Sequence, residues 1–165
     1  MRKIMWMGVL VLVTACSTES ELPVVDSSSP FVGAWLIAET TKTTPDSSWT
    51  DTSPQPGLYV FSGSHFSNML VDGSNARVPF PPGGASPEQR LAAYDPFIAD
   101  AGSYEFSDSI LTTQNIIAKV PNVMTAQIVY RYHFSADTLT LTFRGAWAPP
   151  DGEITYRLVR LPESR

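Results

Sequence analysis

With 165 residues, 43% of them hydrophobic and 16% charged, the chain is sized for one globular domain around one core. Its net charge of −5 opposes binding to nucleic acid or to anionic headgroups, both of which require basic patches. The single cysteine excludes an intrachain disulfide, so the fold must rest on its core alone.

Arg2 and Lys3 precede ten uncharged, mostly apolar residues, Ile4 to Val13, which together have the anatomy of a secretory signal. The apolar run is too short for a membrane-spanning helix, which needs about 20 residues. It ends in Val13-Thr14-Ala15-Cys16, which resembles the lipobox of bacterial lipoproteins. The resemblance implies that residues 1–15 are a removable lipoprotein signal peptide. It also implies that Cys16 carries a diacylglycerol thioether and an acylated amine, anchoring the chain to a membrane of the bacterial cell envelope. Two or more acyl chains hold stably where one alone holds marginally. Ser17, in place of an aspartate, implies the outer membrane, facing the periplasm. Loss of Arg2 and Lys3 leaves 9 basic against 16 acidic side chains, a net charge of −7. The serine-rich stretch Ser17 to Pro30 has no aromatic or basic residue and cannot bury enough apolar surface to order itself. With Cys16 it is expected to be a flexible tether over residues 16–30, reaching about 20 Å.

Residues 31–165 form the expected domain, and alternation of period two dominates it. Strands are predicted at Ala34 to Thr41, Leu58 to Ser62 and His65 to Val71, the last two joined by a tight turn through Gly63. Ser86-Pro87-Glu88-Gln89 is a capping box with proline at the first helical position, and it predicts one short helix that Pro96 stops. Strands resume at Ser103 to Phe106, Ile110 to Lys119, Thr125 to Phe134, Thr138 to Phe143 and Ile154 to Leu161. Short polar turns at Ser107-Asp108-Ser109 and Ser135-Ala136-Asp137 make neighbours antiparallel. The expected fold is all-β, about eight antiparallel strands closing into a barrel, with the helix between the third and fourth strands.

Gly33-Ala34-Trp35 matches the Gly-x-Trp signature of lipocalins. It is followed in order by Pro56-Gly57-Leu58-Tyr59, Ala101-Gly102-Ser103-Tyr104, Arg131-Tyr132, Asp137-Thr138-Leu139-Thr140-Leu141 and Tyr156-Arg157-Leu158-Val159-Arg160-Leu161. Together these resemble the bacterial lipocalin-like domain family from Phe31 to Leu161. The resemblance implies a lipocalin-like barrel in which Trp35 closes the base and Arg160 packs over its ring, both structural. The chain departs from the family at Thr113, Gln114 and Asn115, where histidines are common, so no role of those histidines carries over.

Ile128, Tyr130, Tyr132 and Phe134 share one strand face, as do Leu139, Leu141 and Phe143, and Ile154, Tyr156 and Leu158. If these faces point inward they either fill a solid core or line a cavity suited to an amphipathic ligand. The leading expectation is a non-enzymatic binding module holding a small hydrophobic or amphipathic molecule, lined by Tyr104, Tyr130, Tyr132, Phe143 and Tyr156. The alternative is a solid barrel whose long loops bind another envelope protein through Trp49 and Phe80, large apolar residues in polar, proline-rich segments. A third reading is a hydrolase or isomerase with His65 or His133 as base. No catalytic motif, metal-ligand spacing or cofactor-binding motif is present in the sequence to favour it.

Overall fold

The computed structural model describes residues 29–145 and 147–162. The expected signal peptide, Cys16 and the tether as far as residue 28 lie outside the described residues. Among the described residues nine strands form: β1 (Gly33–Thr43), β2 (Ser48–Asp51), β3 (Gly57–Ser62), β4 (His65–Val71), β5 (Phe97–Ser107), β6 (Ile110–Ala118), β7 (Gln127–Ser135), β8 (Thr138–Phe143) and β9 (Glu153–Arg160). Every neighbouring pair is antiparallel, and β1 pairs with both β3 and β9, closing eight strands into a barrel. The ninth, β2, pairs only with the upper half of β1 and extends that wall past the end of β3. The fold is therefore the all-β, eight-stranded antiparallel barrel that the alternation implies.

The three hairpins at one end, β3–β4, β5–β6 and β7–β8, are all tight, and their chemistry explains it. Gly63, Asp108 and Ala136 each take a positive φ, between 43° and 56°, as the first residue of a two-residue loop. That conformation matches the right-handed twist of the flanking strands. The long connections, 72–96 and 144–152, both lie at the other end, so the barrel has a base of tight turns and an open end of long loops.

Helix α1 (Pro87–Tyr94) occupies the first of those connections, between β4 and β5. Its capping box is intact: the Gln89 amide donates to Ser86 Oγ at 3.3 Å, and the Ser86 amide donates to Gln89 Oε1 at 2.9 Å. No residue of α1 is buried, so propensity and capping hold it rather than packing. Lys119, just past β6, latches its C-terminal end by donating to the carbonyls of Tyr94 and Asp95 and lying 3.9 Å from the Tyr94 ring centroid.

Two elements differ from expectation. The long loop expected to carry Trp49 is not wholly a loop, because Ser48–Asp51 folds back on β1 as β2. Strand β5 starts at Phe97 rather than Ser103, since Phe97 to Ala101 continue the ladder with β4. Polar Asp100 on the buried face and small Ala99 and Ala101 outside invert the usual pattern there. The inward faces of β7, β8 and β9 are those the alternation indicates, with Leu139, Leu141 and Leu158 fully buried.

Candidate ligand-binding site

The base of the barrel is solid. Phe31 is fully buried and ringed by Phe61, Tyr104, Phe106, Tyr132 and Phe134 at centroid distances of 4.9 to 5.8 Å. Trp35 donates its indole N–H to the Phe31 carbonyl at 2.7 Å, fixing the plug to β1. Arg160 lies 4.0 Å from the Trp35 ring centroid and donates to the Val32 and Pro30 carbonyls at 2.6 and 2.8 Å. A cation over an indole face contributes roughly 0.5 to 2 kcal/mol, and this one also ties the entering chain across the base. Gly33 leaves room for it: at φ 130°, a Cβ there would sit 2.8 Å from Arg160 Nη1.

Above the plug the inward faces turn polar. Asn68, Asp100, Thr113 and Asn115 are buried on β4, β5 and β6, facing tyrosines of β3, β7 and β9. Tyr59, Tyr130 and Thr113 come close together inside the barrel, and Thr113 Oγ1 donates to the Ile128 carbonyl at 3.5 Å. Burial raises the Tyr59 and Tyr156 hydroxyls well above the ordinary tyrosine value and pushes Tyr130 up to about 12, so all three stay protonated donors at neutral pH. Burial also raises the Asp100 carboxyl, opposed by its hydrogen bond from Asn68, the residue directly across the ladder. Asn115 donates to the Val123 carbonyl at 3.0 Å, but its Oδ1 is buried without a partner.

The open end carries three recesses. The largest, about 850 Å³, lies between the 72–96 connection and the barrel rim, walled by Val71, Val78, Phe80, Ala93 and Ile98 with Trp147. A second, about 470 Å³, opens from the rim onto the outer wall, between Val123, Ala126, Phe143 and again Trp147 and the outward-facing Val129, Arg131, Thr142 and Glu153. A third, about 130 Å³, brings Trp49 of β2 beside Ile37, Lys42 and Tyr156. Trp147, packed on the core from the β8–β9 connection, thus forms a common wall between the two larger clefts.

The expected lining residues separate by height. Tyr104 and Tyr132 belong to the solid base, Tyr130 to the polar layer, Phe143 to the second cleft and Tyr156 to the third. Trp49 and Phe80 are at the open end, 55% and 51% exposed. His65 and His133 are exposed on the outer wall, and neither lines a recess described above. Sequence reasoning passed over Trp147 and the polar layer. The signal for the layer was there: Phe66, Asn68 and Leu70, and Leu111, Thr113 and Asn115, put amides and hydroxyls at inward positions.

The sequence profile of the lipocalin-like domain matches residues 32–156. Among curated proteins none matches the sequence. Two crystal structures are similar in fold. One is a lipocalin-like protein from Bacteroides uniformis ATCC 8492, at 10% identity and a TM-score of 0.45, covering 79% of this chain and 98% of that one. The other is an uncharacterized protein from Bacteroides eggerthii DSM 20697, at 12% identity and a TM-score of 0.44, covering 79% and 99%. With the profile spanning the closed barrel from the first strand into the last, the chain belongs to the lipocalin-like domain family.

Proposed function

We propose that the protein is a lipid-anchored envelope binding protein that holds a small hydrophobic or amphipathic molecule at the open end of its barrel. The observation that carries this reading is the cleft of about 850 Å³ whose walls are mainly apolar, seated over a barrel whose base is filled by aromatic rings. Clefts of about 300 to 1,000 Å³ with few polar groups suit small-molecule ligands. The anchor rests on the lipobox-like Val13 to Cys16. Native mass spectrometry with organic extraction, on the chain from residue 17 purified from its own host, tests the binding. A co-purifying small molecule at one per chain is expected, and an empty chain under gentle conditions contradicts the reading. Cys16→Ser tests the anchor: it should move the full-length protein from the membrane to the soluble fraction, and continued membrane retention would refute the lipid attachment.

A second reading has its own observation. Val78, Phe80 and Leu91 are all half exposed or more along the 72–96 connection, an apolar edge that favours contact with another envelope protein. Cross-linking in cells from position 80 separates the two: a single protein adduct supports the partner, and its absence together with a co-purified small molecule supports the ligand.

A further inference from the structure

We infer that the recess of about 470 Å³ on the outer wall is a second binding site, one that takes an amphipathic monocarboxylate: Arg131 and Arg144 receive the carboxylate, and Trp147 with Val123 and Val129 receives the apolar body. The site is separate from the larger cleft, and neither reading depends on the other.

The recess exists because the sheet splits there. Strand β7 pairs with β6 from Gln127 to Arg131, but its ladder with β8 begins only at Tyr130 opposite Phe143. Beyond that pair the chain leaves β8 through Arg144 and turns at Gly145, φ 146°, so the β8 side of residues 127–129 is left open. Inward-facing Ile128 and Phe143 and outward-facing Val129 and Arg131 therefore line one opening together with Trp147. Its volume and its apolar walls suit a small molecule.

Charge identifies the ligand class. Arg131 Nη2 lies 2.9 Å and Arg144 Nη2 3.5 Å from the same oxygen of Glu153, Oε2. One carboxylate thus draws two guanidiniums together and neutralises only one of them. Each arginine uses a single nitrogen there, and among the described residues Nε and Nη1 of both are without a partner. Exposed pairs of this kind contribute little stability, so the free donors can turn to an incoming anion at small cost. The other two recesses have the opposite balance: Arg77 against Asp72 and Asp95 in the largest, and Lys42 against Asp51 and Asp72 in the smallest. In a chain of net charge −5, this is the one recess of the three described whose lining is positive. A planar carboxylate matches the guanidinium fork. The apolar walls beside the two forks favour an acid with an apolar chain over a bare ion.

The test follows amide, indole and arginine Nε–H resonances of the isotopically labelled chain from residue 17, at pH 7 and low salt, as octanoate, 1-octanol, acetate or octyltrimethylammonium is added. Octanoate is expected to shift Arg131, Arg144, Val129 and Trp147 saturably. It should bind there at least about tenfold tighter than octanol, as a hydrogen bond to a charged group implies, and tighter than acetate by a similar factor. The cation should leave these signals still, and added salt should weaken octanoate, because the arginines stand in solvent. Two variants carry opposite signs. Arg144→Gln removes the excess charge and should bring octanoate down to the affinity of octanol, whereas Glu153→Gln frees both guanidiniums and should tighten octanoate about threefold or more. Ion pairs that serve the fold alone would not give the second result. The site is overturned if octanoate binds no tighter than octanol or acetate, if Glu153→Gln binds octanoate no better, or if the octanoate shifts centre on Ile98 and Arg77; in that last case the larger cleft keeps its ligand and this one has none.

Discussion

At the scale of single residues, the interior divides between side chains that alternation reveals and side chains that it hides. Leu139, Leu141, Tyr156 and Leu158 are inward because every second residue of a strand faces the core, and this is legible in the sequence alone. Phe31 is not, because it precedes the first strand and no periodicity governs it, yet five aromatic rings surround it. Asp100 is hidden for another reason: an acid on a strand is ordinarily placed in solvent, and here the ladder with β4 sets it inside against Asn68. Its raised carboxyl has a thermodynamic consequence. The folded state binds this proton more tightly than the unfolded state, whose value is near 3.8. The stabilising contribution is therefore complete below that value and is lost as pH rises through the folded-state value. At neutral pH the buried charge is a cost. Asp100→Asn keeps a partner for Asn68 and removes the charge, so it should raise Tm at pH 7, with the gain fading toward pH 4. A gain that is constant with pH, or no gain at neutral pH, would show that the carboxylate is not penalised by its burial.

At the scale of elements, turns and the helix were the most readable parts, because each rests on local chemistry. Ser86 and Gln89 close a capping box that the sequence displays openly, and the loops at Gly63, Asp108 and Ala136 form where polar or small residues interrupt alternation. Strand β2 was not readable, since Ser48–Asp51 is four residues long, buries no side chain and exists by pairing with β1. Nor was the irregularity where β5 meets β6. There the register slips between Ala101 and Gly102, and Ile116 and Ile117 both turn outward while Asn115 stays in. Gly102 makes the close approach feasible: a Cβ would stand 1.9 Å from the Gln114 carbonyl oxygen and 3.0 Å from Asn115 Cα, both of them backbone. Nothing flexible can yield, so Gly102→Ala should cost at least ~2 kcal/mol, at the upper end of overpacking effects. Gly83, in the 72–96 connection, has nothing within 4 Å of its would-be Cβ. Gly83→Ala should be neutral or stabilising by up to ~1 kcal/mol, because it restricts only the unfolded chain. Urea midpoints of the two variants check both statements, and a harmless Gly102→Ala would deny the tight contact that positions Asn115.

At the scale of the whole molecule, the barrel has two unlike ends. The base is a scaffold: Phe31 fills it, Trp35 and Arg160 lock the entering chain across it, and tight turns leave no room for insertion. The open end carries the recesses, the exposed Trp49 and Phe80, and Trp147 between the two larger clefts. Closure of the sheet was legible because eight alternating strands leave edges that only pairing of the first with the last can remove. The division of labour between the ends was not, because it depends on which connections are long and on where Trp147 comes to rest. Fold alone does not specify activity, so the claim that the open end is the working end needs its own test. Amide and indole resonances of the isotopically labelled chain from residue 17 should be followed as the co-purified molecule, or 1-dodecanol in its place, is added. The account predicts saturable shifts at Trp147, Ile98, Val71 and Ala126, with Phe31, Trp35 and Phe61 unmoved; shifts centred on those base residues or spread over the outer wall would contradict it.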